Sequence, residues 1–348
     1  MNVFLTIDVE VWCNDWSNLD RAFSKGFERY VYGRSAYGDY ALPQTLAILN
    51  RFGLKGIFFV EPLFATRFGT QHLEIIVRLI RDAGHEIQLH LHPEWNDEAI
   101  KPIIKNSAHK RQHMSDYTLD EQATLIAFGK SLLEAAGSGS VKVFRAGNFA
   151  ANRDTFAALS RNEILVDASL SRCYSVSAPD LRTEHSLKTP FMVDNVVTYP
   201  VMVFRDGFGK DRPAHLGASG FGEMRDVLRS ARRAGIVDFV IVSHNFEMLR
   251  HGSSTPDWIV VRRFERLCAF LWRITPACLA SVVSMKICYL CPKPRNRCRN
   301  PRQLVFNQQT LSGTDAAPLE LGPDMQSPTR FLACIGGFGP ASRVTRGV

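Results

Sequence analysis

Val3-Phe4-Leu5-Thr6-Ile7-Asp8-Val9-Glu10 is an apolar run that ends in two acids. Such a run predicts a buried strand that delivers a carboxylate at its C-terminal end. Residues two apart on a strand point the same way, so Asp8 and Glu10 can share one site. Two neighbouring carboxylates fit one metal ligand plus one general base, or else a pair of solvated acids.

The same device recurs downstream. The spacing of Leu42, Leu46 and Leu49 predicts a helix over 42–52, and Gly53-Leu54-Lys55-Gly56 turns the chain into a strand, Ile57 to Val60. Leu73, Ile76, Val77 and Ile80 predict a helix over 71–83, capped by Gly84, with the next strand from Glu86 to His92. Further helices are expected over 119–136, 153–161, 223–234 and 257–272, and a hairpin around Val196–Val203. Further strands run over 141–144, 165–166 and 239–243, ending in Arg145, Asp167 and His244. Alternating strands and helices predict an α/β fold with a parallel sheet. Active sites of α/β barrels lie at the C-terminal strand ends, so the polar residues there mark one face as catalytic.

Two imidazoles in register, His90 and His92, share a strand face, with Glu94 just beyond Pro93. Together with a carboxylate from another strand they suit Zn²⁺ and leave a position open for water. His85 has the opposite parity to His90 and is expected to be structural. In Arg145-Ala146-Gly147-Asn148-Phe149 the arginine can orient a carboxylate or hold a substrate oxygen, and the glycine lets backbone approach a ligand. His244 can serve as general acid, and Asp167 can pair with Arg145 or with His244. Trp95, Phe149 and Phe246 are expected either to wall a sugar site or to pack in the core. Taken singly, each of these residues also has an ordinary structural explanation.

The formal net charge is +8, but residues 285–348 carry nine Lys/Arg against three Asp/Glu. The basic character therefore belongs to a tail, and nucleic-acid binding is not expected. That tail, 285–348, is basic and Pro/Gly-rich and is expected to be poorly structured. Cys288-x-x-Cys291 with Cys298 lacks a second pair, and the scattered Cys13, Cys173, Cys268 and Cys278 are expected to be free thiols. The chain opens without a basic n-region, and the most apolar stretch, Ile274 to Cys291, is interrupted by Pro276 and Lys286. The expectation is a cytoplasmic protein without a transmembrane segment.

The order of these features resembles the polysaccharide deacetylases of carbohydrate esterase family 4, the NodB-homology family, over about residues 1–272. There the first motif is usually Thr-Phe-Asp-Asp; Thr6-Ile7-Asp8-Val9-Glu10 looks like the Asp-x-Glu variant. The family's histidines usually stand four apart. Here they are His90 and His92, with Glu94 at the four-apart position; strand parity favours His92 as the third ligand, and Glu94 is the runner-up. Arg145-Ala146-Gly147 matches the family's Arg-Pro-Pro-Tyr-Gly loop in its Arg and loosely in its Gly. The resemblance implies a distorted (β/α)7-type barrel with parallel strands over residues 1–284. It implies Asp8 as catalytic base, oriented by Arg145, and Glu10, His90 and His92 as ligands of a divalent metal, Zn²⁺ by their chemistry. His244 then falls at the general acid and Asp167 at the fourth-motif Asp that tunes it. The activity implied is removal of N- or O-acetyl groups from a carbohydrate, and His-Leu-His-Pro hints at a polysaccharide, capsule or lipopolysaccharide precursor. Two alternatives keep the fold: an allantoinase-like amidase acting on a non-sugar C–N bond, and a non-catalytic carbohydrate-pathway protein.

Overall fold

The computed structural model describes residues 1–13, 16–105 and 110–274. Its first strand, β1 (Asn2–Val9), is buried along nearly its whole length. Val3, Leu5, Ile7 and Val9 point into the large core beneath the helices, while Phe4 points into a second, smaller core. A strand covered on both faces must be apolar on both, which is why the run does not alternate with polar residues.

The succeeding elements are α1 (Leu19–Phe27), α2 (Leu42–Arg51), β2 (Ile57–Val60), α3 (Gln71–Asp82), β3 (Glu86–Leu91), α4 (Leu119–Ala135) and β4 (Val143–Ala146). After them come α5 (Arg153–Arg161), β5 (Val166–Asp167), β6 (Phe191–Val193), β7 (Val196–Thr198), α6 (Phe221–Arg233), β8 (Asp238–His244) and α7 (Trp258–Ile274). One eight-stranded sheet runs in the order β8-β1-β2-β3-β4-β5-β7-β6. Seven of its strands are parallel; only β6 is antiparallel, paired to β7. The order is linear, so the sheet is an open, distorted barrel of the (β/α)7 type, as the resemblance implied, with the parallel strands that the alternation of elements predicted.

The smaller core fills the inside of this curve. It holds Phe4, Ile57, Phe59, Val143, Val166, Val197, Tyr199, Val240 and Val242. Parity then dictates the site: two residues further along their strands, the same inward files reach Asp8 from Thr6, Arg145 from Val143 and His244 from Val242. Asp8 and His244 are direct partners across β1 and β8, and His90 and Arg145 are partners across β3 and β4.

Several boundaries differ from expectation. Asp8 and Arg145 lie inside their strands and not just past them, so both are held by ladder hydrogen bonds. The expected hairpin around Val196–Val203 is displaced: β6 and β7 are joined through Asp194-Asn195, both at positive φ (47° and 66°). Asn and Asp tolerate the left-handed region, and two such residues make the tight turn that matches strand twist. A second small hairpin pairs Val203–Arg205 with Asp211–Pro213. Cys13 and Cys268 are buried free thiols, as expected, and Cys173 is half-buried. The boundary at 284/285, the expected tail, Cys278 and the Cys288-x-x-Cys291 group lie outside the described residues. No helix among the described residues is long and apolar enough to cross a membrane.

Candidate active site

Glu10 leaves the end of β1 fully surrounded by protein, and its Oε1 lies 2.9 Å from His90 Nε2 and 2.9 Å from His92 Nε2. The far nitrogens of the two rings fix their tautomers. His90 Nδ1 lies 2.9 Å from the Arg145 backbone carbonyl, which can only accept, so Nδ1 carries the hydrogen. His92 Nδ1 lies 3.1 Å from Glu94 Oε1, again an acceptor. Both Nε2 atoms thereby face one carboxylate oxygen, to which each donates when it carries a hydrogen and beside which each offers a lone pair to a cation when it does not. Two imidazoles and a carboxylate within 4.8 Å of one another are a donor set suited to a divalent cation of the zinc kind. Glu94 sits on the far side of the His92 ring, where an acceptor that orients a ligand belongs.

Electrostatics agree. Burial opposes the Glu10 charge, but His92 and the hydrogen bonds of both imidazoles outweigh it and hold the carboxyl well below its ordinary value. Burial likewise opposes a charge on His92, yet Glu10 and Glu94 raise its pKa well above the ordinary value. Surroundings that favour a proton there favour a metal cation in its place.

Asp8 accepts from Arg145 Nη1 at 2.6 Å. The arginine is wholly buried, and every part of its head is occupied. Nη2 donates to Thr6 Oγ1 at 3.0 Å and Nε to the Ala168 carbonyl at 3.0 Å, while the guanidinium lies over the Phe59 ring at 4.2 Å. Phe59 is the residue in register with Asp8 on β2, one of the two strands between β1 and β4, and the arginine reaches over it toward β1. A rigid fork with five donors suits this; a lysine would not.

His244 lies beside these carboxylates, with one nitrogen within 4.8 Å of Asp8 and Glu10 oxygens. Its Nδ1 is 2.8 Å from Glu247 Oε1, and Phe246 stacks on its ring. Burial alone would lower its pKa; the Glu247 hydrogen bond and the charges of Glu10, Glu247 and Asp8 raise it to about 9.

The structure brings Asp8, Glu10, His90, His92, Arg145 and His244 together. Asp167 has other partners. It accepts from Ser169 Oγ, from Ser169 N at 3.1 Å and from Thr198 Oγ1 at 2.6 Å, and Glu247, not Asp167, holds His244. Ser169 Oγ in turn receives the Ala146 N–H at 2.8 Å, so Asp167 braces the strand that carries Arg145. His85 is structural as expected: Gly56 N donates to it, and burial lowers its pKa to about 4. Trp95 packs in the core against Trp16, Phe64 and Phe68, and Phe149 stacks on Tyr174.

Four further contributors, Asn245, Trp12, Glu61 and His215, are not singled out by the motifs of the sequence. Asn245 clamps Glu10 by accepting its N–H at 3.1 Å and donating to its carbonyl at 3.3 Å. Trp12 Nε1 donates to Glu10 Oε2 at 2.6 Å; its place two residues after Glu10 in the Asp8-Glu10 file was the available clue. Glu61, pushed up to about 8 by burial, accepts the His92 N–H and the Leu63 N–H. His215 meets Glu247 at 3.0 Å.

No family model matches the sequence, and no curated protein does. Solved structures do. A protein from Mycobacterium smegmatis described as a polysaccharide deacetylase superposes with a TM-score of 0.52 at 17% identity, over 85% of this chain and 94% of that one. Looser likenesses are a family 4 carbohydrate esterase from Streptomyces lividans (TM-score 0.41, 12% identity, 82% and 94% of the chains) and a pseudoenzyme of the same family from Bacillus anthracis (TM-score 0.40, 14% identity, 81% and 64%). On the first of these, the chain has the fold of a polysaccharide deacetylase.

Proposed function

We propose that the protein is a metal-dependent hydrolase that removes N- or O-acetyl groups from a carbohydrate, with a polysaccharide, capsule or lipopolysaccharide precursor as the substrate class. The observation that carries this is the convergence of His90 Nε2 and His92 Nε2 on one Glu10 oxygen, with both far nitrogens held by acceptors.

Glu10, His90 and His92 would hold the cation, Zn²⁺ by donor chemistry, with Glu94 orienting His92. A divalent ion there supplies Lewis-acid polarisation of the acyl carbonyl and a more acidic water. Asp8, held by Arg145, takes the proton of the attacking water. His244, with its Nδ1 on Glu247, leaves Nε2 to protonate the departing sugar amine or hydroxyl. Arg145 acts through Asp8 and Asp167 through Ser169; both are positioning residues. Phe246 on His244, with Tyr30 edge-on to Phe246 at 5.2 Å, supplies an aromatic wall beside the acid.

Elemental analysis of the purified protein is expected to give one metal per chain. Binding should be lost in His90→Ala and His92→Ala but only weakened in Glu94→Ala, by about 10–100-fold. Asp8→Asn should keep the metal and lose acetate release from N-acetylated amino-sugar oligomers. Wild-type protein that takes up no zinc or cobalt, or an Asp8→Asn variant of full activity, overturns the reading. Cleavage of small amides without any action on acetylated sugars transfers the site to the non-sugar amidase alternative.

A further inference from the structure

The His215–Glu247–His244 cluster has the outward look of the Glu10 centre. Two imidazole nitrogens close on one carboxylate oxygen, at 3.0 and 2.8 Å. The far nitrogens tell the two apart. In the Glu10 centre they face acceptors. In the second cluster the Ala218 backbone N–H is shared between His215 Nδ1, which accepts it at 3.2 Å, and the His215 carbonyl, also at 3.2 Å. A ring nitrogen that accepts carries no hydrogen, so neutral His215 has its hydrogen on Nε2 and donates it to Glu247. That nitrogen has no lone pair to offer a cation. The 3.4 Å between His215 Nε2 and His244 Nδ1 is then the spacing of two donors that share one acceptor.

We propose that His215 and Glu247 form a hydrogen-bonded relay that positions His244 as the acid of the reaction. His215 Nε2–H donates to Glu247 Oε1, the same carboxylate accepts His244 Nδ1–H, and His244 Nε2–H is left facing the Asp8–Glu10 side. In the acid step the Nε2–H bond breaks as the new N–H or O–H of the leaving group forms. The ring ends neutral, with its remaining hydrogen on Nδ1 and donated to Glu247. This rests on the acyl hydrolysis proposed above and assigns His215 and Glu247 the part that the family resemblance implied for Asp167.

The backbone is built around this carboxylate. Val242 N donates to the Ala214 carbonyl at 2.9 Å and Leu216 N to the Val242 carbonyl at 3.0 Å. These bonds lay His215 along the edge of β8 as a parallel bridge partner of Val242, two residues before His244. A Cβ on Gly217 would stand 1.9 Å from Glu247 Oε2, so the absence of a side chain there makes room for the carboxylate. Arg263 Nη1 fixes the segment by donating to the Leu216 and Gly217 carbonyls at 3.0 and 2.9 Å.

The test uses the full chain and two acetyl substrates. The phenolate of an aryl acetate leaves without a proton; the amine of an N-acetylated amino-sugar oligomer needs one. Glu247→Gln and His215→Leu are expected to lower kcat on the oligomer roughly 100-fold while aryl acetate hydrolysis stays within a few-fold. His215→Gln, whose amide can still donate to Glu247, should recover most of the loss. Metal content should stay at one per chain throughout. Equal falls on both substrates would make the pair merely structural, and a second metal in the wild type that His215→Leu removes would make the cluster a cation site; either overturns the proposal. If the wild type hydrolyses neither substrate, it is the hydrolase reading that has failed. The relay is then decided by ring-nitrogen NMR: a His215 Nε2–H tautomer is expected, and the Nδ1–H tautomer refutes it.

Discussion

A Cβ built on Gly147 would lie 2.8 Å from His92 Nδ1 and 2.8 Å from the Leu91 carbonyl oxygen. From the sequence, this glycine allows some ligand to approach the backbone. In the structure the group that approaches is the His92 imidazole itself. A methyl at 147 must push the ring away from Glu94 and swing its Nε2 off Glu10. Gly147→Ala is therefore expected to weaken cobalt or zinc binding by about 10–100-fold, the range found when a ligand loses its orienting partner. A competition titration against a chelator measures it, and an unchanged affinity would place the ring elsewhere. The convergence of Asp8, Glu10, His90, Arg145 and His244 was legible because each lies on, or just past the end of, the inward file of a strand. The choice between His92 and Glu94 was not, since it turns on which side of a ring a carboxylate lies.

At the scale of elements, β5 is two residues long, yet Asp167 within it ties three segments: its own strand, Ser169 beyond it and Thr198 on β7. Burial raises its pKa to about 6, against hydrogen bonds from Ser169 and Thr198 and the Arg145 charge that pull it down. The folded carboxyl therefore holds its proton more tightly than the unfolded one. Its contribution to stability is complete below the unfolded value of 3.8 and is lost as pH rises through about 6. Asp167→Asn keeps an acceptor toward Ser169 and can donate to Thr198. Relative to wild type, the variant should gain on the order of 3 kcal/mol between pH 3 and pH 8. Denaturant unfolding at both pH values reads this, and a pH-independent difference would show that the carboxyl titrates alike in the folded and unfolded chain. The expected helices lie within two residues of the observed ones, because apolar spacing is local, whereas α1 was not anticipated. The β6–β7 hairpin was misplaced because its signal, Asp194-Asn195, is a matter of backbone sign and not of hydrophobic pattern.

Across the whole molecule, the site depends on joining the two ends of the described chain. β1 pairs with β8 from Asn2↔Asp238 to Asp8↔His244, and Asn245 reaches back 235 residues to Glu10. Phe239, fully buried opposite Val3 on this seam, belongs to the large core. Phe239→Ala should cost about 3–5 kcal/mol, seen as a lower denaturant midpoint at constant slope. Because the seam carries Asp8 and His244 alike, acyl hydrolysis and global fold should fail together across that denaturation. Activity lost well before the fold would show that the seam opens locally.

The sequence by itself determined the α/β class, the extent of most elements and the inward file of chemical residues, since period and parity are properties of neighbouring positions. Tertiary structure alone decided that Glu94 backs His92, that Asp167 braces the Arg145 strand, and that Glu247 with His215 holds His244. Those pairings depend on strand register, on close approach at Gly147 and Gly217, and on which ring nitrogen meets an acceptor. Each of these is set by segments far apart in the chain.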